Sequence, residues 1–294
     1  MEKRLFWTGI MFIIPISLIF IIFLIIPIVQ SFYYSLTNWR GIGAYDFVGL
    51  DNYFLLFKND LFLSTLTRTL FIGISTALFA NLVGLMIALL LEQSLKTKKI
   101  LRALFYLPNV IPIVVAAFVW RFILDPNVGL INTWISQMMG ERTVIPWIDS
   151  PDYVVYSIIG IAVWQMMGPI IIIYIAALQG VPQELQEAAV IDGASKYKRF
   201  FHVTLPMIAA GITVNVLIGL VNGIRMFDLP FALTGGGPAN SSETLAIRVY
   251  LYAFQTGNFA LGMAAAFVLT LVAMVITYFF VSVSRNYEKG ANGE

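Results

Sequence analysis

Arg225 and Asp228 are charged residues inside a mainly apolar stretch at positions 207–229. Charges within a membrane span are expensive, so they are functional hypotheses by default. At a spacing of three residues on one helix, Arg225 and Asp228 can form an ion pair that fixes the helix. Alternatively Arg225 and Asp228, together with Asn222, line a path and bind a hydroxylated or anionic solute. Both interpretations remain open from these residues alone.

A second candidate group is Trp164, Gln165 and Gly168, followed by Pro169, in the apolar stretch 153–178. Proline removes a backbone hydrogen bond, so we expect a kink whose freed carbonyls face protein or a water-filled cavity. Trp164 offers a flat apolar face for a ring, and Gln165 offers a hydrogen-bonding group. The competing interpretation is that Trp164 is a packing residue or an interfacial anchor.

Composition excludes several other chemistries. The chain has no cysteine and a single histidine, His202, which excludes disulfides, thiolate sites and multi-histidine metal sites. It has no Gly-Lys-Ser/Thr phosphate loop and no Gly-x-Ser-x-Gly motif. A formal net charge of +2 does not indicate nucleic-acid binding. We therefore predict no catalytic residue, no metal site and no cofactor site in this chain.

The elements that must position the candidate residues are transmembrane helices. Hydrophobic residues make up 59% of the chain and charged residues 12%, and the mean hydropathy is +0.85. A span needs about 20 mainly apolar residues. Six segments qualify, at 7–29, 66–91, 103–124, 153–178, 207–229 and 259–283. We predict an all-α, multi-pass bundle that forms a single membrane domain over residues 1–294, with a bend at Pro108 and Pro112 in the third span.

The distribution of Lys and Arg predicts the orientation of the bundle. Six spans place both termini on one side, and Lys and Arg concentrate in cytoplasmic loops. With both termini in the cytoplasm, the inner side holds Lys3, Arg4, Lys96, Lys98, Lys99, Arg102, Lys196, Lys198, Arg199, Arg285 and Lys289. The outer loops then hold only Arg40, Lys58, Arg142 and Arg248. We therefore predict a protein of the cytoplasmic (inner) membrane.

The predicted cytoplasmic loop at 180–206 differs from an ordinary hydrophilic connector. Pro182 and Glu184 favour the start of a short helix, and Gly193 provides its end. A second short helix is expected to start near Ser195. Because the first helix carries apolar residues, we expect a partner surface to cover it, although a capped amphipathic connector is the simpler alternative.

Three motifs of this loop resemble a known family. Glu187-Ala188-Ala189, Asp192-Gly193-Ala194 and Leu205-Pro206 are similar in type and spacing to the signature loop of inner-membrane subunits of binding-protein-dependent ABC importers. Further segments resemble the carbohydrate branch, which includes maltose and glycerol-phosphate permeases: Phe47 to Tyr53, Leu107-Pro108 with Trp120, and Leu233 to Pro238. The resemblance covers nearly the whole chain and fits the shorter, six-span members.

The resemblance implies a type I ABC importer permease fold in which the loop is a coupling helix held in a cleft of the ATPase. It assigns ATPase coupling to Glu187, Ala188, Ala189, Asp192 and Gly193. It also implies polar substrate contacts in the stretch before the Gly-Gly-Pro turn. The residues expected along the substrate path are Trp164, Gln165, Gly168, Asn222, Arg225 and Asp228.

The partners implied by the resemblance are a second homologous permease, two ATPase subunits, an external solute-binding protein and the lipid bilayer. The expected substrate is a sugar or oligosaccharide, with an anionic sugar as one option, and ATP and Mg are bound by the ATPase subunits. The alternative function is an ion-coupled secondary transporter that acts without an ATPase. That mechanism needs an intramembrane carboxylate, for which Asp228 is the convincing candidate.

Overall fold

The computed structural model describes residues 11, 13–93 and 96–292, with side chains described as far as Arg285. The predicted start of the first span at residue 7, the N-terminal Lys3 and Arg4, and the side chain of Lys289 lie outside the described residues. Within these bounds the regular secondary structure is helical, apart from an isolated β-bridge between Thr37 and Phe47.

The helices follow one another with short connections. In chain order they are α1 (Ile13–Ser35), α2 (Asp51–Phe57), α3 (Asp60–Leu91), α4 (Lys98–Val110), α5 (Ile113–Ile123), α6 (Leu130–Met139), α7 (Pro151–Gln179), α8 (Gln183–Ile191), α9 (Lys196–Met207), α10 (Ala209–Ile224), α11 (Asp228–Thr234), α12 (Leu245–Tyr250) and α13 (Phe259–Asn292). Short π-helical stretches interrupt α1 at Ile21–Ile25 and α9 at Phe200–Thr204, and another follows α12 at Leu251–Gln255.

Four of the described helices are long and apolar enough to cross a bilayer alone: α1, α3, α7 and α13 up to Arg285. Two further spans are possible if the bent pairs α4–α5 and α9–α10 each count as one crossing. The described helices therefore supply four to six candidate spans. The long helix α7 runs through Gly168 and Pro169 as one α-helix.

The third predicted span is broken at its prolines. Helices α4 and α5 meet at 98° across Ile111 and Pro112. Ile111 is extended, with φ −72° and ψ 125°, as expected for a residue before proline. The two prolines thus indicated the position of the bend, although the turn is far sharper than a packing kink.

The fifth predicted span, 207–229, ends earlier than the apolar pattern indicates. Helices α9 and α10 meet at 69° around Ile208, and α10 stops at Ile224. Asp228 is the first residue of the separate helix α11. The interpretation of Arg225 and Asp228 as an ion pair on one helix face is therefore wrong, and no ion pair joins them in the described part of the chain.

The chain divides into two compact units, of which the first comprises Met1–Leu63 and Arg248–Val268. In this unit the buried Asn52 donates from Nδ2 to the carbonyls of Ser35 (2.8 Å) and Thr37 (2.7 Å). The hydroxyl of Tyr53 lies 2.6 Å from Ser35 Oγ. Asn52 and Tyr53 belong to the segment that resembles the carbohydrate branch, and these bonds show that they fix the end of α1.

The second unit comprises Ser64–Ile247 and Leu269–Glu294. Its α3 and α10 approach backbone to backbone through small residues. A Cβ added at Gly223 would lie 2.7 Å from the carbonyl oxygen of Gly73, and one added at Gly219 would lie 3.1 Å from the Cα of Ala77. Small residues four apart permit such close packing between membrane helices.

Three polar side chains join α3, α7 and α10 inside this unit. The hydroxyl of Tyr174 donates to Oδ1 of Asn81 at 2.6 Å, and Asn215 Nδ2 donates to the carbonyl of Ile170 at 3.1 Å. Asn81, Tyr174 and Asn215 are all buried. The two amides therefore bond neighbouring helices, which is the common role of amides in membrane bundles.

The loop between α5 and α7 is organised by two side chains. Asp125 Oδ1 accepts hydrogen bonds from the backbone N–H groups of Asn127 (2.8 Å) and Val128 (2.9 Å). These bonds hold the pKa of the Asp125 carboxyl below its usual range. Asn132 Oδ1 accepts from Trp147 Nε1 at 2.9 Å. The loop is therefore a small hydrogen-bonded cap.

The contact between α3 and α10 predicts the effect of one added methyl group. Gly223→Ala should lower the unfolding free energy by about 1–3 kcal/mol, because the methyl meets backbone atoms that cannot rotate away. Thermal unfolding of the detergent-solubilised protein measures this loss. Gly160→Ala in α7 is the matched control, since an added Cβ there meets nothing within 4 Å. An unchanged melting temperature for Gly223→Ala would contradict this close packing of α3 against α10.

Candidate functional site

A cavity of about 450 Å³ lies where α4, α5, α7, α10 and α11 come together in the second unit. Its polar lining residues come from three separate places in the sequence. They are Asn109, Gln165, Asn222, Arg225 and Asp228. Apolar residues complete the lining: Ile113, Ala162, Met166, Met226, Phe227 and Leu229. The fold thus brings together four of the six residues expected along a substrate path.

Arg225 and Asp228 lie at the ends of two helices rather than on one. Arg225 caps the C-terminus of α10, and Asp228 occupies the first turn of α11. Each charge is favourable at its end of the helix dipole. Both side chains are exposed and line the cavity. The break between the helices therefore presents a cation and an anion to the cavity at a modest electrostatic cost.

The short connection between α10 and α11 is held by the turn at 235–245, which follows α11 and begins with three glycines. Thr244 Oγ1 donates to the carbonyl of Met226 at 2.8 Å. The same turn is fastened to α3, because Arg68 Nη1 donates to the carbonyl of Asn240 at 2.6 Å and Thr69 Oγ1 accepts from the N–H of Leu245 at 2.7 Å. The turn thus positions the charged edge of the cavity.

Gln165 connects the cavity wall to the break between α4 and α5. Its Nε2 donates to the carbonyl of Ile111 at 3.2 Å. Ile111 lies in the break, where its carbonyl has left the regular helical pattern, and an unsatisfied carbonyl at membrane depth is costly. Gln165 therefore stabilises the bend, and it is also one of the cavity-lining residues.

Trp164 and Gly168 are not among the described residues that line the cavity. Trp164 packs edge-on against Trp120, with ring centroids 5.4 Å apart. Gly168 allows close approach of α4, since an added Cβ would lie 2.9 Å from the Cα of Tyr106. These contacts favour the packing interpretation of both residues over the role in substrate binding expected from the sequence.

Asn109 is a cavity residue that the sequence analysis missed. It lies near the end of α4, directly after Pro108, and its side chain is exposed. The available signal was an amide in an apolar span next to a helix-breaking proline. An amide at this position can face a cavity because the bend turns the chain away beyond it.

The loop at 180–206 contains the predicted helical hairpin. Helix α8 follows Pro182, which is its N-cap rather than its first residue, and Gly193 adopts φ +76° after the helix. Ser195 Oγ accepts from the N–H of Lys198 at 3.3 Å and caps α9. The predicted stop and restart of the hairpin are therefore present.

Helix α8 has no buried residue. Leu185 is 45% exposed, Val190 53% and Ile191 85%, so its apolar side chains are uncovered within this chain. Glu187 Oε1 accepts from Gln183 Nε2 at 2.8 Å on the same helix. Asp192 is the C-cap and Ala188 is exposed, whereas Ala189 is half-buried. Uncovered apolar area of this kind marks interaction surfaces.

Sequence comparison identifies a matching family. The profile of the binding-protein-dependent transport system inner membrane components matches residues 80–289. A probable starch degradation products transport system permease of Thermoanaerobacterium thermosulfurigenes is 32% identical over 98% of this chain and 98% of its own length. The trehalose/maltose transport system permease of Thermococcus litoralis is 30% identical and covers 94% of this chain and 93% of its own.

Structural comparison agrees on the fold. A chain of the bacterial alginate ABC transporter, crystallised with an alginate pentasaccharide-bound periplasmic protein, superposes with a TM-score of 0.85 at 24% identity. The match covers 98% of this chain and 97% of the other. At this identity the likeness establishes the shared fold alone.

The Gln165 contact predicts a measurable loss of stability. Gln165→Met keeps the length of the side chain but removes the donor to the Ile111 carbonyl, and should destabilise the protein by about 1 kcal/mol. Thermal unfolding in detergent measures the change. Gln137→Met on the exposed face of α6 is the control, and it should unfold at the wild-type temperature. Equal melting of both variants would contradict the role of Gln165.

Proposed function

This chain belongs to the binding-protein-dependent transport system inner membrane components, and we propose that it is the permease subunit of an ATP-driven importer of a sugar or oligosaccharide. The observation that carries the proposal is a cavity beside a bend and a helix break, lined by five polar side chains between membrane helices. Irregular backbone at membrane depth is tolerated where it lines such a cavity. The cavity is therefore the proposed substrate path.

The lining chemistry fits a hydroxylated substrate. Amides, a guanidinium and a carboxylate together offer donors and acceptors in planar pairs, which suit neighbouring hydroxyl groups. The names of the starch-product and trehalose/maltose relatives support the carbohydrate class. The guanidinium of Arg225 extends the proposal to an anionic sugar, because it is the cation in this lining.

ATP hydrolysis is assigned to separate subunits, since the sequence contains no nucleotide-binding loop. In the proposed assembly a second homologous permease completes the pathway, two ATPase subunits bind ATP and Mg, and an external solute-binding protein delivers the substrate. Both termini and the loop at 180–206 then face the cytoplasm. The uncovered apolar face of α8 supports docking of the ATPase on this loop.

Transport follows from the coupling of two conformational states. Closure of the ATPase pair moves α8, and this movement turns the membrane helices from an inward-facing to an outward-facing arrangement. A partner can shift such an equilibrium only through contacts that differ between the two states. The loop must therefore contact the ATPase differently in each state.

The alternative, an ion-coupled transporter, depends on Asp228 as the ion-carrying carboxylate. Asp228 is the first residue of α11, and the guanidinium-bearing Arg225 lines the same cavity. Unchanged uptake in the absence of ATP would support this alternative over the ATP-driven importer.

Glu187→Lys tests the docking of the ATPase. Reversing the charge on the exposed face of α8 should release the ATPase during co-purification and abolish ATP-dependent uptake. The reason is that the lysine ammonium group donates hydrogen bonds, whereas the carboxylate that it replaces accepts them. The matched control is Glu141→Lys on the loop between α5 and α7, which should retain the ATPase. Retention of the ATPase by Glu187→Lys would show that Glu187 is not part of the interface with the ATPase.

Arg225→Ala tests the cavity as the substrate path. If the substrate is anionic, loss of the guanidinium should reduce its uptake by about tenfold or more while the complex still assembles, because a charge-assisted hydrogen bond is lost. Arg121→Ala is the control, since Arg121 is exposed on α5 and absent from the described cavity lining. Equal uptake of neutral sugars by the wild type would count against an anionic substrate.

A further inference from the structure

We propose that Glu92 is a positioning residue that links the end of α7 to α3 and α4, so that movement of α8 reaches the membrane helices. This inference rests on the proposed function, in which an ATPase moves α8. It concerns a different place in the chain from the substrate cavity, and it assigns a role in coupling to residues outside the signature loop.

Three helix ends meet at the Glu92 carboxylate. Glu92 directly follows α3, Arg102 lies near the start of α4, and Gln179 is the last residue of α7. Arg102 Nη2 donates to Glu92 Oε2 at 3.4 Å as an ion pair. Gln179 Nε2 lies 3.3 Å from the same oxygen and 3.5 Å from Oε1. One carboxylate therefore accepts from the ends of two other helices.

Gln179 is separated from α8 by three residues. Gly180, Val181 and Pro182 form the connection, and the N–H of Val181 bonds back to the carbonyl of Leu178 at 3.2 Å. A connection this short transmits a displacement of α8 directly to the end of α7. The Glu92 contacts then pass that displacement to α3 and α4.

A second contact connects α8 to the helices that follow it in the chain. Gln186 Nε2 donates to Thr204 Oγ1 at 3.0 Å, which ties α8 to the π-helical part of α9 and thus to α10. Helix α8 has no buried residue, and Gln186 and Ala189 are half-buried. Glu92 adds a polar contact at the ends of α3, α4 and α7 to the packing that joins these helices deeper in the bundle.

A stabilising role alone does not account for this arrangement. The side chains of Arg102 and Glu92 are 30% and 33% exposed, and exposed ion pairs contribute little to stability. Removing the carboxylate should therefore leave the fold and the assembly intact. What it removes is a link between three helices, and coupling between distant sites requires such contiguous contacts.

The test uses the complete importer, with both permeases, the ATPases and the solute-binding protein, reconstituted in proteoliposomes. Glu92→Met keeps about the length of the side chain and removes both acceptor oxygens. The ratio of sugar imported to ATP hydrolysed should fall about fivefold or more, the lower end of typical allosteric coupling, while ATP hydrolysis continues. An unchanged ratio would overturn the inference.

The double variant Glu92→Arg with Arg102→Glu is the matched control. It exchanges the charges, and the Oε1 atom of Gln179 can accept from the new arginine. The import ratio should return to the wild-type value if the link is what matters. A ratio as low as that of Glu92→Met would overturn the inference.

A cysteine pair makes the same test independent of charge. The chain has no cysteine, so Glu92→Cys with Gln179→Cys introduces a unique pair. A short bifunctional thiol reagent should raise the import ratio of this variant, and wild-type complex treated identically controls for cysteines of the partners. No rise after cross-linking would overturn the inference. Wild-type complex without ATP-dependent uptake would instead reject the proposed function itself.

Discussion

The need to satisfy every backbone polar group in a bilayer governs this structure. Regular helix meets that need along α3, α7 and α13. Where helix is interrupted, a side chain or a cavity takes over: Gln165 bonds the Ile111 carbonyl at the bend between α4 and α5, and Thr244 bonds the Met226 carbonyl between α10 and α11. Both interruptions border the same cavity. The departures from regular helix therefore create the polar site, because each freed peptide group demands a polar or hydrated neighbour.

Helix ends also determine where charge is tolerated. Arg225 and Asp228 lie in one apolar stretch of the sequence but on different helices, each at the end that its sign favours. Glu92 follows the C-terminus of α3 and Arg102 lies near the start of α4, where the helix dipoles do not favour their charges, and the two side chains form an ion pair. The chain thus confines these charges to positions that backbone dipoles, solvent or a partner side chain compensate.

Much of the fold was accessible from the sequence, because hydropathy and proline are direct physical signals. The helical hairpin at 180–206 followed from Pro182, Gly193 and Ser195, and the bend of the third span followed from its prolines. The end of α10 at Ile224 was missed, since the hydropathy of 207–229 continues through the break, where Thr244 donates a tertiary hydrogen bond to the Met226 carbonyl. The contact of Trp164 with Trp120, which favours packing, was not accessible, because a single sequence does not show that the two rings lie against each other.

The seam between α3 and α10 consists of main chain against main chain at Gly73 and Gly223. Glycine has no side chain, so this contact does not depend on a side-chain rotamer or on the hydration of a side chain. Its strength is therefore the same whether the neighbouring cavity holds water or solute. In the proposed transport cycle, α3 and α10 are therefore suited to remain packed against each other while other helices reorient.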